Sequence, residues 1–470
     1  MLDLHHAVEG LRPADYNPRA IAPDALDTLQ TSLHTFGFAK PIIVKPSGLI
    51  IAGHQRTKAA KACGITHVPA WVITVDVTND DEVKFNQLHN GTDLETIDRV
   101  VRVRPAQPGE MRRFIELPAK DINGDHRSSQ ANTRMLVARL LQTYGNWGGC
   151  VATASGRVVS SPHYALTAAQ IGMPVRTYYI EDDLEADALR IFSHQYGAFN
   201  YEHIPYIQAN AQPYRLRSGG AKDQHSDLYE KIVIPQWGPR ERLLDFGCGQ
   251  ADYLHMFQTR GRMASGIEFF HRRAGTATLD TKAVHHMIAE ALGNWTRRGG
   301  YDLVVCDSVL NSVDTLTAEN DVITCVQAFT KPGGRMFFSG RTRSGVEASM
   351  AANRSGNKNG GTRAVEFLDE NGFTAYKRGD VWFFQKFATQ AELTKLFESF
   401  GVTALMVTER SNKWFASMRK GTEPADAHIE AALRREFDLP WPNDTSVGRA
   451  DEAVAAWLAA RAKEVDLGLR

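Results

Sequence analysis

The sequence predicts an α/β protein in two parts: a duplicated small α+β module, then an open, mostly parallel sheet with an antiparallel hairpin at its edge. Three observations carry this expectation. From Arg242 onward, short apolar runs alternate with glycine turns and helical stretches, the rhythm of parallel strands joined by crossover helices. Before that point the chain matches itself without gaps at an offset of 108 residues, and such self-similarity marks a repeated structural unit. The length of 470 residues exceeds the roughly 250–300 that one hydrophobic core organises. The expected division is 1–98, 99–220, 221–420 and a helical extension over 421–470.

The first module reads as strands and short helices around one conspicuous turn. Residues 41–45 (PIIVK) and 49–52 (LIIA) suit buried strands, and 68–75 (VPAWVITV) suits a third. Between them lies Gly53-His54-Gln55-Arg56, followed by Ala59, Ala60 and Ala62 and then Gly64, the composition of a helix with a C-terminal glycine cap. The turn therefore joins a strand to a helix N-terminus. In the offset copy, Leu33 falls on Leu141, Ile50-Ile51 on Val158-Val159, and Gly64-Ile65 on Gly172-Met173. Gly53, His54 and Arg56 become Ser161, Pro162 and Tyr164. The second copy is expected to keep its packing and lose its site.

In the larger part, strands are expected at 243–246, 263–268, 303–306, 335–339, 402–408 and 414–418, with helices near 321–330 and 390–399. The last two strands flank Ser411-Asn412-Lys413 and form the hairpin. Amphipathic helices near 425–437 and 449–464 flank the breaker LPWPND and are expected to pack on the body or on a partner chain.

Composition limits the function. Lys+Arg and Asp+Glu balance at 54 each, which excludes a uniformly basic nucleic-acid coat but not a local patch. Five cysteines are scattered singly without a CxxC pair, which points to a reducing cytoplasm and away from thiolate zinc. No run reaches the ~18–20 apolar residues of a membrane span, and the N-terminus lacks signal-peptide features.

Leu243-Leu244-Asp245-Phe246-Gly247-Cys248-Gly249-Gln250 ends a strand and opens a helix. Two glycines let the backbone turn tightly beside a ligand, and the helix start offers amides to an anion. Glu268 ends the next strand, nineteen residues after Gly249, where a carboxylate accepts ribose hydroxyls. Asp252 stands where a dinucleotide fingerprint needs its third glycine, and its charge disfavours a pyrophosphate. The segment resembles the first motif of class I S-adenosylmethionine (SAM) methyltransferases. The resemblance implies a Rossmann-like sheet, a loop 247–249 against the methionine part of SAM, Asp245 fixing the loop and Glu268 holding the ribose.

Further along, YDLVVCDSVLNSV, KPGGRMFFS and FFQKFATQAEL look like methyltransferases associated with DNA phosphorothioation clusters, over roughly 240–420. The end of the strand at 303–306 reads Asp307-Ser308-Val309-Leu310 and lacks the Asp/Asn-Pro-Pro-Tyr/Phe tetrapeptide of amino-directed DNA methyltransferases, and no cysteine follows a proline. Asp307 and Asn311 are the candidates to orient an acceptor, with Asp307 also able to accept a proton; capping of the strand end is the competing role for each. Methyl transfer needs mainly positioning, so no metal is expected.

The combination NPR…FGF…PIIV…GLIIAGHQRTKAAKACGITHVPA, over about 8–95, resembles the ParB/sulfiredoxin-like superfamily. This implies that Arg19, Gly53, His54, Gln55 and Arg56 face phosphates of CTP, ATP or DNA. Where many members carry Gly-Glu-Arg-Arg, this chain has His54-Gln55, which weakens the case for hydrolysis or metal-dependent nicking. Arg341, Arg343, Arg354 and Lys358, in a Gly/Ser/Asn-rich stretch after the strand at 335–339, are expected to contact nucleic acid, and Arg99, Arg102, Arg104, Arg112 and Arg113 form a second basic stretch.

The expectation is a cytoplasmic SAM-dependent methyltransferase acting on or near DNA. Its expected company is a homodimer partner and proteins of a modification or defence cluster. Two alternatives stand: a nucleotide-gated DNA-binding or nicking protein with SAM as effector, and a methyltransferase for RNA or a small molecule.

Overall fold

The computed structural model describes the chain except for residues 15–18, 79–80, 83, 86–87, 89–99, 125–130, 193–197, 200–224, 277, 345–365, 370, 379–380, 443 and 470. The chain divides into two compact units, 1–204 with 347–379, and 205–346 with 380–470.

The first unit holds the repeat. Strand Leu2–Ala7, helix Pro23–Phe36, strands Ile42–Val44 and Ile50–Ala52, helix His54–Ala62 and strand His67–Val72 form the first copy. The second copy runs Phe114–Leu117, Ala131–Tyr144, Cys150–Thr153, Val158–Ser160, Pro162–Gln170 and Val175–Ile180. After the first strand, each element begins 108 residues beyond its counterpart. In both sheets the first strand pairs antiparallel with the last, the last lies parallel to the second, and the second is antiparallel to the third. The first strand and first helix of each copy were not specified by the sequence reading. Leu2–Ala7 carries polar His5 and His6 at its centre and has little apolar signature.

The copies pack on each other reciprocally. Trp71 Nε1 of the first donates to the carbonyl of Tyr144 in the second, at 3.3 Å. The Tyr178 hydroxyl of the second donates to the carbonyl of Phe36 in the first, at 2.9 Å. Phe36 and Tyr144 are counterparts across the 108-residue offset. Gly37 and Gly145 follow them, and a Cβ there would lie 2.7 Å from Tyr178 Oη and 3.0 Å from Trp71 Cζ2, respectively. Both positions need glycine because a ring from the other copy lies against the backbone.

The second unit is built on a six-stranded sheet. Its spatial order is Ala264–Ile267, Leu243–Phe246, Tyr301–Asp307, Thr330–Arg341, Lys413–Arg419, Ala404–Arg410. The first four strands are parallel and the last two add an antiparallel edge, as the sequence predicts. Strand residues such as Leu243, Leu303, Val304 and Phe338 have no exposed surface, consistent with a parallel sheet covered on both faces. Helices Asp252–Thr259, Thr281–Arg298, Leu316–Phe329 and Gln390–Glu398 cover it. Helices Asp426–Glu436 and Ala450–Asp466 also pack on this unit: Arg435 forms a two-bond pair with Asp321, and Glu464 accepts the Gly300 amide at 2.8 Å.

Candidate functional site

Strands Ala264–Ile267, Leu243–Phe246 and Tyr301–Asp307 lie side by side, so Glu268, Gly247 and Asp307 stand at neighbouring carboxyl ends of a parallel sheet, the place where open α/β sheets bind ligands. Gly247 has φ 86°, Gly249 φ 60° and Ala251 φ 62°, so the chain makes three left-handed steps before the helix. The amides of Gly247 and Cys248 both donate to the Ile267 carbonyl, at 2.8 and 3.1 Å. A Cβ on residue 247 would lie 2.3 Å from Val309 Cγ2, so this position has neither the conformation nor the space for a side chain.

Glu268 is bound to the loop directly. Its Oε2 accepts the Gly249 amide and its Oε1 the Phe270 amide, each at 2.9 Å. His271 Nδ1 donates to the Gly249 carbonyl at 2.9 Å. Burial pushes the Glu268 carboxyl upward, and the two amides oppose that shift. Asp245, buried within the strand, is pushed up to about 7, first by burial; the nearby Tyr229 hydroxyl opposes this, while the charges of Asp307 and Glu268 add to it. Gln250 Nε2 is buried with no hydrogen-bond partner among the described residues. This unsatisfied donor, on a loop of bare backbone beside a carboxylate, fits a ligand that carries an acceptor group and hydroxyls.

Asp307 carries a collar of hydroxyls: Ser226 Oγ donates to its Oδ2 at 2.5 Å, Ser308 Oγ to its Oδ1 at 3.2 Å, and Ser339 Oγ to the same oxygen. Asn311 is placed differently. It is buried, its Nδ2 donates to the Lys386 carbonyl at 2.5 Å, and its Oδ1 accepts the Arg341 amide at 2.6 Å. Those contacts tie two chain segments together, the arrangement of a brace. The sequence reading did not single out Ser226, Gln250 or His271 as site residues. Only Gln250 lay within a motif, directly after Gly249.

In the first unit, Gly53 takes φ 99°, and a Cβ there would lie 2.6 Å from Ile42 Cγ2. His54 is buried, and its Nε2 accepts the Ala14 amide at 3.3 Å. That nitrogen is thus an acceptor and offers no proton to a phosphate. Arg56 donates to the Lys40 carbonyl at 2.7 Å, with its guanidinium 5.9 Å from the Phe38 ring centroid. Gln55 is half-buried beside them at the helix start. Arg19 lies in the two-residue strand Arg19–Ala20; its side chain is outside the described residues. In the second copy Ser161 retains the left-handed turn, φ 57°, and Tyr164 fills the place of Arg56. Its hydroxyl donates to Asn146 Oδ1 at 2.5 Å and accepts the Arg176 amide at 3.0 Å.

The basic residues are less available than their sequence suggests. Arg343 is buried and pairs with Glu392 at 3.1 Å, because the strand end folds back against the helix 390–398. Arg341 is exposed, 5.5 Å from the Phe387 ring centroid. Arg354 and Lys358 lie outside the described residues, as does Arg99. In the second stretch, Arg104 forms a two-bond pair with Glu110 and Arg112 another with Glu181, while Arg102 and Arg113 are exposed.

A glycine loop and an acidic strand end on this sheet define a class I methyltransferase fold. Residues 217–405 match the methyltransferase domain family, and residues 5–88 match the ParB N-terminal domain family. The chain thus carries a match to a methyltransferase domain, and through its first module it belongs to the family of proteins with a ParB-like N-terminal domain. The ParB-like nuclease domain-containing protein YnaK of Escherichia coli K12 is 30% identical over 71 residues, 15% of this chain and 82% of that protein. The probable chromosome-partitioning protein ParB of Vibrio cholerae is 37% identical over 75 residues, 15% of this chain. The match spans 26% of that relative's length. Among solved structures, the CcbJ methyltransferase of Streptomyces caelestis aligns with 47% of this chain and 100% of its own, at 14% identity and a TM-score of 0.30. Among the described residues, no helix is long and apolar enough to cross a membrane.

Proposed function

We propose that the chain is a SAM-dependent methyltransferase acting on or near DNA, with the first ParB-like copy binding a nucleotide or DNA phosphate. The unpaired Gln250 Nε2, on a glycine loop held against Glu268, carries the cofactor part of this reading. Gln250 would meet the carboxylate end of SAM and Glu268 its ribose. SAM supplies an electrophilic methyl group; the chain supplies orientation, with the Asp307 collar at the neighbouring strand end as the candidate to orient an acceptor. The DNA part is supported by the ParB-like module and by the resemblance to methyltransferases that accompany DNA phosphorothioation clusters. A CTP or ATP phosphate would sit at the Gly53–Arg56 helix start with Arg19, and Arg341, Arg354 and Lys358 would separately contact nucleic acid. Arg343 is not among them, since Glu392 holds it.

One observation favours a second reading, a methyltransferase for RNA or a small molecule: Arg104, Arg112 and Arg343 are already paired with carboxylates. Incubation with labelled SAM and, separately, plasmid DNA, transfer RNA and a small-molecule extract distinguishes the two. Label in DNA, with a new modified nucleoside by mass spectrometry, supports the first; label confined to the other fractions rejects it. For the ParB-like copy, titration of CTP, ATP and DNA against wild type and Arg56→Ala is expected to show weaker binding by the variant. Equal affinities would leave Arg56 as a structural residue.

A further inference from the structure

We infer that Trp441, in the segment after the sheet, is a positioning residue for the cofactor loop. This inference rests on the reading that Glu268 and the loop 247–250 hold SAM. Trp441 lies in a short ribbon, paired with Thr445, and is 4% exposed. Its indole Nε1 donates to the carbonyl of Phe269 at 2.9 Å, and Phe269 is the residue directly after Glu268. His285, on the helix 281–298, stacks on the indole at 5.5 Å, and its Nε2 donates to the Val447 carbonyl at 3.0 Å. The indole is therefore fixed on its face as well as at its nitrogen.

The same segment reaches the loop by a second route. Phe437 stands edge-on to Phe269 at 5.2 Å, and Phe269 edge-on to Phe246 at 5.9 Å. Phe246 precedes Gly247. The C-terminal segment thus contacts Phe269, whose ring meets Phe246, and these two are the neighbours of the ribose carboxylate and of the first loop glycine. Helix 426–436 is itself anchored to the sheet unit by Arg435 and Asp321. Upstream of Glu268, strand pairing sets the backbone, with Ile267 opposite Phe246. Downstream, the Trp441 bond sets it. A site that must grip two ends of one ligand is sensitive to displacements of about 1 Å, and this contact limits such displacement at Glu268.

The test compares two like substitutions in the full chain. Trp441→Phe keeps an aromatic ring and removes the N–H. Trp457→Phe makes the same change in helix 450–466, where the indole nitrogen is buried without a partner among the described residues. Two readouts apply: SAM affinity by calorimetry, and hydrogen exchange of the unliganded peptides spanning 268–273 and, as a reference, 301–307. Trp441→Phe is expected to weaken SAM binding about five-fold, the loss of one buried hydrogen bond, and to speed exchange in 268–273 but not in 301–307. Trp457→Phe is expected to change neither. Equal effects of both variants, or wild-type exchange at 268–273 in Trp441→Phe, overturn the inference. Failure of wild type to bind SAM refutes the cofactor reading instead, and the exchange comparison still decides whether Trp441 positions Glu268.

Discussion

Replacing Gly247 by alanine loads two separable costs onto the loop. The residue has φ 86°, a left-handed conformation that costs an L-residue roughly 1–2 kcal/mol. The new methyl would also sit 2.3 Å from Val309 Cγ2. Valine is stiff about χ1, so it cannot simply turn aside, and overpacking of this kind costs about 1–3 kcal/mol. The combined penalty is about 2–5 kcal/mol. It falls on the amides that hold the loop to Ile267 and on the Gly249–Glu268 bond. Gly247→Ala should therefore lower stability to chemical denaturation by this amount and weaken SAM binding at least ten-fold. Adding Val309→Ala removes the clash and leaves the backbone strain, so the double variant should recover about half of the loss. Wild-type stability and affinity in Gly247→Ala, or no recovery in the double variant, would refute the steric reasoning.

Other substitutions follow the same logic. Asp245 titrates near 7 in the fold, against an ordinary value of 3.8, so the native state holds its proton more tightly than the unfolded chain. Its contribution to stability is fully present below about pH 4 and is lost as pH rises through about 7; denaturation of Asp245→Asn should show a gain over wild type of a few kcal/mol at pH 8 and much less at pH 5, and a pH-independent difference would argue against the buried-carboxyl account. Asn311→Ala leaves the Lys386 carbonyl and Arg341 amide short of a partner, so stability should fall by about 1–3 kcal/mol with SAM affinity little changed, whereas full stability with lost turnover would return Asn311 to an acceptor-orienting role. Gly53→Ala should cost clearly more than Gly64→Ala in thermal denaturation: both have positive φ, but a Cβ meets Ile42 at 2.6 Å in the first case and open space in the second. Equal melting points for the two would show that Ile42 yields freely.

Local pattern made much of this molecule legible. The offset of 108 held for five consecutive elements because each buried position must recur at the same place in its helix or strand for the copy to keep its core. The glycine loop and Glu268 were legible because a tight turn demands glycine and a strand end has a fixed spacing to the next. What stayed hidden depends on contacts distant in sequence. Arg343 reads as a free cation until Glu392, 49 residues away, is folded against it. Asn311 reads as a mouth residue until the backbones of Arg341 and Lys386, 30 and 75 residues on, engage it. Trp441 lies 172 residues from the carbonyl it holds. Such pairs leave no periodic trace, because nothing in either segment alone requires the other.

The second copy keeps the fold of the first around a different turn. Ser161 keeps the left-handed step that Gly53 makes, at φ 57°, so the helix still starts in the same place without a glycine. Tyr164 and Arg176 make the region beside this turn part of the core: Tyr164 is 3% exposed, and the Arg176 guanidinium donates to the Gly148 carbonyl at 3.0 Å while lying 5.1 Å from the Trp71 ring of the first copy. Trp71 and Tyr178 each donate to the end of the other copy's helix. Tyr144 further binds Asp81 at 2.6 Å, and Phe85 packs edge-on to Tyr144 and Trp147 at 5.2 Å. Removing the second copy would therefore expose Phe36 and Phe85, now fully buried, and deprive the Asp81 carboxylate of Arg139 and Tyr144. Unpaired groups and bare aromatic surface each cost folding free energy. The integrity of the first copy thus depends on the second copy's packing, whether or not the second turn binds anything.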